Sequence, residues 1–373
     1  MNGTVLRALF IDAYQQVLDN WVFRILAVLV FGTVAFSFAV GASPDFISIL
    51  WLRYPYAELG FEANMLPGEA RRELLQGLQS LFIDNVVGTF GLLGCLAATS
   101  FFVPQMLERG AADTLFSKPV SRIALLTARY AAGLLFVGLL AVALVGGLFL
   151  GLKARWGLEG TDLLWSAPVL VYRYAIVYSA TVLIGVLTRS SVAALLGSFL
   201  FLGFNGCVHG AWEVREFTVN ARSQMEASAR PVEPQPEPDP VEEAQAAAEA
   251  ADTEPESPPD EGLSLVRGLW KAVTVAHFVL PKPGEAPRIV ELLTDGDPDA
   301  ADAQKRAEFD AKNAERVAKG FRPRSPPKPP PGDFRLRWGG PWPRNAYVSI
   351  ATSLGFALAV FLAAAWRLSR IRF

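Results

Sequence analysis

The chain has 373 residues, of which 52% are hydrophobic and only 19% charged, and its net charge is −2 at pH 7. Uncharged runs of roughly 18 residues or more are typical of membrane spans, because about 20 helical residues cross a hydrocarbon core of about 30 Å. The composition therefore excludes an ordinary soluble domain and predicts an integral membrane protein. Cys95 and Cys207 both lie within apolar runs, so a disulfide framework is not expected.

The N-terminal segment 1–21 is predicted to form an amphipathic helix at the membrane surface. In TVLRALFIDAYQQVLDNW (4–21), apolar side chains recur at helical spacing and polar side chains occupy the opposite face. A helix with two such faces lies in the interface between lipid and water. The alternative is that these residues form the lead-in turns of the first span.

Six membrane helices follow, and the length of the apolar runs excludes a β-barrel. With a cytoplasmic N-terminus, ten Lys and Arg residues beside the spans face the cytoplasm and five face outside, which favours this orientation. We therefore expect an all-α, multi-pass protein of the cell (inner) membrane, with both termini cytoplasmic. The predicted spans are about 22–42, 84–104, 130–152, 168–188, 190–210 and 346–366.

The chain is expected to divide into six regions along its length. Residues 263–281 are apolar enough to suggest a seventh span, but Arg267, Lys271 and His277 lie among them. A seventh crossing would also place the basic C-terminal tail outside, so a surface-lying or re-entrant helix is predicted instead. The regions are a connector helix (1–21), spans one to five with a cytoplasmic element at 105–128 (22–212), a disordered Pro/Glu/Ala-rich insert (213–262), the interfacial or re-entrant segment (263–293), a charged Pro/Arg-rich linker in which 304–319 could be an exposed helix (294–345), and span six with the tail (346–373).

Charged residues within the spans are scarce, and no acidic residue lies in the middle of any span. Carriers driven by ion gradients generally need such acids, so this class is disfavoured. Arg173, Asn205 and His209 are candidates for a substrate path near the outer side. The alternatives are that Arg173 extends to the lipid headgroups and that the other two form hydrogen bonds between helices.

Motifs for intrinsic catalysis are missing from the sequence. It contains no GxxxxGK[ST] phosphate loop, no GxSxG and no His/Cys metal constellation. We therefore expect a non-enzymatic chain that binds no cofactor or metal directly. The glycines in Gly147-x-x-x-Gly151 are interpreted as a site of close helix packing.

The polar stretch ERGAADTLFSKPVSR (108–122) lies on the cytoplasmic side, between spans two and three. Gly110 is suited to ending one helix, Pro119 breaks a short lateral helix, and Ser121 can cap the next helix. A helix, a break and a second helix with mixed charges would suit a contact with another protein. A solvated hairpin loop fits the same pattern equally well.

The residues ERGAADTLFSKPVSRIALLTARY (108–130) resemble the segment after the second span in permeases of the ABC-2 family, the membrane subunits of ABC transporters. That family also has an amphipathic connector helix, six spans, and re-entrant helices between spans five and six. The resemblance implies that 108–122 is a coupling helix that contacts a separate ATPase subunit. The matching positions are Arg109, Gly110, Asp113, Leu115, Lys118, Pro119, Val120, Ser121, Arg122, Arg129 and Tyr130, and the implied ATPase contacts are Glu108, Arg109, Gly110, Asp113, Leu115, Lys118, Pro119, Ser121 and Arg122.

The expected function is therefore that of the permease subunit of an ABC exporter. The implied partners are two copies of an ATPase subunit that binds ATP and Mg, a second permease subunit in a homo- or heterodimer, and membrane lipid; no nucleic acid is expected. One alternative is a membrane scaffold that transports nothing and recruits partners through its external insert. A gradient-driven carrier is the less favoured alternative.

Overall fold

The computed structural model describes ten parts of the chain, which are residues 15, 21–42, 46–55, 87–107, 121–157, 161–229, 261–294, 298–319, 335–339 and 344–371. The predicted connector helix 1–21 thus lies outside the described residues, apart from its residues 15 and 21. Most described residues are helical. The helices are α1 (Trp21–Ala39), α2 (Leu92–Thr99), α3 (Phe102–Met106), α4 (Arg122–Trp156), α5 (Ser166–Thr188), α6 (Ser191–Ala229), α7 (Glu261–Val279), α8 (Ala286–Thr294), α9 (Pro298–Ala318) and α10 (Ala346–Arg370).

Among the described residues, six helical segments are long and apolar enough to cross a membrane, in agreement with the six predicted spans. The helix that includes the third span begins at Arg122, directly after the predicted cap Ser121, and continues through the predicted span 130–152. A π-helical turn at 87–91 precedes α2 in the second span. The six segments are Trp21–Ala39, Val87–Met106, Arg122–Trp156, Leu163–Thr188, Ser191–Arg222 and Ala346–Arg370.

The chain forms two compact units. Unit one consists of residues 1–206, 280–324 and 335–373, and unit two consists of residues 207–279 and 325–334. Unit one contains most of the apolar core, in which α5 packs against both α4 and α10. The described part of unit two consists of the C-terminal half of α6 together with α7.

Two stacked tyrosines join α4 and α5 in the core of unit one. The rings of Tyr130 and Tyr178 are nearly parallel, with centroids 5.2 Å apart. A methyl group on Gly133 would lie 2.7 Å from the ring of Tyr178. The absence of a side chain at Gly133 therefore allows α4 and α5 to approach closely.

Helices α1 and α4 pack through the small residues predicted for close contact. A methyl group on Gly147 would overlap the side chain of Val34, and one on Gly151 would overlap that of Ser37. Since each glycine lies directly against a side chain of α1, the packing interpretation of the Gly147-x-x-x-Gly151 pattern is confirmed.

Three short strands between spans one and two were not predicted. They form an antiparallel sheet in the order β1-β2-β3, in which Val40 pairs with Ile49 and Ile49 pairs with Leu52. The fold is therefore mostly α-helical but not entirely so. The strands are β1 (Val40–Ala42), β2 (Phe46–Ile49) and β3 (Leu52–Pro55).

The region between spans five and six contains more helix than expected. Helix α6 continues through Ala229, so the prediction of disorder from residue 213 is wrong for 213–229. Helix α9 confirms that 304–319 is helical, and most of its described side chains are exposed. Helix α7 ends at Val279, two residues before Pro281. The remaining insert, 230–260, lies outside the described residues.

Candidate functional site

The predicted ATPase-contact element lies largely outside the described residues. Of its nine candidate residues, only Ser121 and Arg122 are described. Ser121 has extended backbone dihedrals, and its Oγ accepts a hydrogen bond from the N–H of Ala124 at 3.2 Å. This geometry confirms the predicted N-terminal cap. The undescribed candidates are Glu108, Arg109, Gly110, Asp113, Leu115, Lys118 and Pro119.

Arg122 connects the start of α4 to the end of α10. Its guanidinium group donates a hydrogen bond to the backbone carbonyl of Ile371, the residue that follows α10. Carbonyl groups at a helix C-terminus lack partners within the helix and carry partial negative charge, so they bind a cation favourably. Arg122 therefore contributes to the structure of the chain itself, in addition to its predicted contact with an ATPase.

The second half of the motif, Arg129 and Tyr130, is packed into the helical bundle. Arg129 is buried, and Tyr130 Oη donates a hydrogen bond to the backbone carbonyl of Ala175 at 2.9 Å. The ring of Tyr130 also contacts Phe361 of α10, with centroids 4.9 Å apart. These contacts link α4 to both α5 and α10 about two turns after the start of α4.

Two of the predicted substrate-path residues lie in unit one. Arg173 is half-buried and lines a void of about 10 Å³, together with Ser166 and the α8 residues Ala286 and Val290. A void of this size holds about one water molecule. Asn205 is buried in α6.

The third predicted residue, His209, forms a histidine pair in unit two. Its Nδ1 lies 2.7 Å from Nδ1 of His277, and the two rings meet edge to face. The indole of Trp212 stacks on His277, with ring centroids 4.0 Å apart and an interplanar angle of 12°. His277 is only 3% exposed. His209 thus makes a hydrogen bond between helices, which was the alternative interpretation, with a partner that the sequence did not identify.

A buried polar turn at 281–285, which we call the Lys282 turn, was not predicted as a site. Lys282 is only 2% exposed, and its Nζ lies 4.0 Å from Glu285 Oε1. The carboxylate of Glu285 accepts a hydrogen bond from the hydroxyl of Ser349, and the backbone N–H of Lys282 donates to Ser353 Oγ at 2.9 Å. Because α10 begins at Ala346, the turn packs against the first two turns of span six.

Burial and the neighbouring carboxylate change the pKa of Lys282 in opposite directions. Removal of Lys282 from water lowers the pKa of its ammonium group below the ordinary value of 10.5, and the negative charge of Glu285 partly opposes that change. The carboxylate therefore favours the protonated form of the buried lysine. The pairing of these two charges depends on contacts with α10 that the sequence does not reveal.

No protein-family model, curated protein or solved structure matches this chain. Among the described residues, no group of three or more His, Cys, Asp or Glu side chains could hold a metal ion. The features that bear on function are therefore those of the chain itself, above all the motif at 108–130 and helix α4, which begins within it.

Proposed function

We propose that this chain is the membrane subunit of an ABC-2 type transporter, driven by ATP hydrolysis in a separate ATPase subunit. The observation that carries the proposal is the continuity of α4. This single helix of 35 residues begins at Arg122, inside the motif, and includes the entire third span. At 1.5 Å per residue it is about 50 Å long. A displacement of residues 108–120 would therefore act directly on one end of a spanning helix.

The contacts of α4 support the same proposal. Arg122 binds the end of α10, and Tyr130 binds a backbone carbonyl of α5 and packs on Phe361 of α10. Packed helices transmit displacement because their interfaces are not continuously deformable. A push on the motif would thus be shared among spans three, four and six.

The implied assembly consists of two such membrane subunits and two ATPase subunits, with the termini in the cytoplasm and export as the direction of transport. Helix α1 fits a position at the periphery of one subunit, because none of its residues is buried. Its exposed Val28, Phe31 and Phe36 suit contact with lipid or with the second membrane subunit.

The test is whether a Walker-motif ATPase, sought in the neighbouring reading frames, co-purifies with this chain. Charge reversal by Arg109→Glu combined with Lys118→Glu is expected to abolish ATPase binding while the membrane subunit remains folded and monodisperse in detergent. Lys312→Glu on the exposed face of α9 is the matched control, and it should leave binding unchanged. Arg122 is avoided because its replacement also removes the contact with Ile371. If no ATPase binds the wild-type chain, or if the double reversal binds normally, the proposal is wrong.

A further inference from the structure

The sheet after the first span turns back toward the membrane. Strand β1 begins at Val40, directly after α1 ends at Ala39. Because β2 is antiparallel to β1, its last residue, Ile49, pairs with Val40. The N–H of Leu50 then donates a hydrogen bond to the carbonyl of Ala39 at 2.5 Å. The turn between β2 and β3 therefore lies at the level where the chain leaves the bilayer.

This turn, Leu50–Trp51, has an unusual composition for a turn in water. Two-residue hairpin turns require positive φ angles and favour Asn and Gly, yet here Leu50 adopts a φ of 56°. Trp51 is 81% exposed, and Ile49 and Leu52 on either side of the turn are also exposed. Four consecutive exposed apolar residues indicate a surface that is covered by something apolar.

The position of the turn is held by the end of α4. Arg155 donates hydrogen bonds to the carbonyl of Leu50 and, at 3.5 Å, to that of Ala39. Trp156 Nε1 donates to the carbonyl of Val40 at 3.1 Å. A methyl group on Gly41 would lie 2.9 Å from the carbonyl oxygen of Arg155. The ends of two spanning helices thus fix the Leu50–Trp51 turn beside the membrane surface.

We propose that the Leu50–Trp51 turn inserts into the interfacial region of the lipid bilayer, in the leaflet where α1 and α4 end. Tryptophan favours this region because its ring is apolar while its N–H can reach water or headgroups. Lys153, exposed in the last turn of α4, is placed to meet lipid phosphates at the same end. With a cytoplasmic N-terminus the leaflet is the outer one. The proposal needs α1 and α4 to span the membrane and is independent of the transport function.

The experiment places an environment-sensitive nitrobenzoxadiazole label on the turn of the full chain. Cys207 is exposed and is first replaced by Ser, whereas Cys95 is buried and inaccessible to the label. Trp51→Cys then carries the label, and Lys312→Cys on the exposed face of α9 is the matched control. Labelled protein is reconstituted in phosphatidylcholine vesicles with or without bromine atoms on the acyl chains. Leu52→Cys serves as a second label position if the first variant does not fold.

The label at position 51 is expected to emit at shorter wavelength than the label at position 312. Brominated lipid should quench it, and aqueous iodide should quench it much less than the control. Equal quenching by iodide at both positions, without any effect of brominated lipid, would overturn the proposal. Protection from both quenchers would also overturn it, because it would show that protein, such as a second copy of the chain, covers the turn.

Discussion

His209 and His277 face each other in unit two with their Nδ1 atoms 2.7 Å apart. Since a hydrogen bond needs one donor and one acceptor, one Nδ1 carries a proton and the other does not. The contact joins two helices that are separated by a long segment of sequence, and Trp212 covers one of its rings. The pair therefore provides a specific link between α6 and α7.

We expect His209→Ala and His277→Ala each to destabilise the protein by about 1–3 kcal/mol, because each leaves a partner nitrogen without its hydrogen bond. The double variant should lose less than the sum, with a coupling of about 1 kcal/mol, as is typical of residues in contact. Thermal unfolding in detergent measures all four proteins. Cys207→Ala, an exposed position on the same helix, should have almost no effect. Additive losses at the two histidines would contradict the contact.

The small residues between α1 and α4 allow a comparison of two adjacent glycines. Gly147→Ala is expected to lower the unfolding temperature, because its methyl group would overlap Val34. Gly146→Ala is the matched control, since nothing lies within 4 Å of the position of its methyl group. It should be neutral or stabilising, because alanine favours a helix over glycine by up to about 1 kcal/mol. Equal effects of the two replacements would show that α1 does not pack at Gly147.

The contribution of the N-terminal cap of α4 to stability can be tested by replacing Ser121. Ser121→Ala removes the hydrogen bond to the N–H of Ala124 and is expected to cost about 1 kcal/mol of stability. Ser121→Asn restores a capping side chain and should recover most of the loss. If the proposed coupling role is correct, Ser121→Ala should also weaken ATPase stimulation in the assembled transporter, and Ser121→Asn should restore it. Measurements of melting temperature and of ATP hydrolysis separate the two effects.

The spans and the cap of α4 were predictable because their evidence is local. A long uncharged run is sufficient to predict a membrane helix, and a serine after a proline break is sufficient to predict a cap. The spacing of Gly147 and Gly151 was also sufficient to predict that another helix packs closely against them. In each case the residues that determine the structure lie within a few turns of one another.

The sheet and the polar contacts were not predictable because they depend on distant residues. The sequence FISILWLRYP is a short apolar run that does not distinguish strand from helix, and the left-handed Leu50 is held by Arg155. His209 and His277 are 68 positions apart, and Glu285 and Ser349 are 64 apart. The prediction of disorder was wrong for 213–229 because the polar end of α6 was grouped with the Pro/Glu-rich segment that follows it.

The Lys282 turn predicts a pH dependence of stability. Burial lowers the pKa of folded Lys282 below the 10.5 of a free lysine. Between these two values the unfolded chain binds more protons than the folded chain, so the free energy of unfolding rises with pH in that window. Lys282→Met should remove this rise, which is measured by comparing its free energy of unfolding with that of the wild type as the pH increases toward 10.5. Lys312→Met, at an exposed position, should retain the rise.

A second replacement at the Lys282 turn tests whether the charge of Glu285 raises the pKa of Lys282. The charge of Glu285 raises the pKa of Lys282 and opposes the effect of burial, so Glu285→Gln should move the rise in stability to lower pH. Breaking the pair in this way should also destabilise the protein near neutral pH, because it leaves a buried ammonium group without its carboxylate. The double variant Lys282→Met with Glu285→Gln should recover much of that loss, since no buried charge then remains. A rise that stays at the same pH in Glu285→Gln would show that the carboxylate does not act on Lys282.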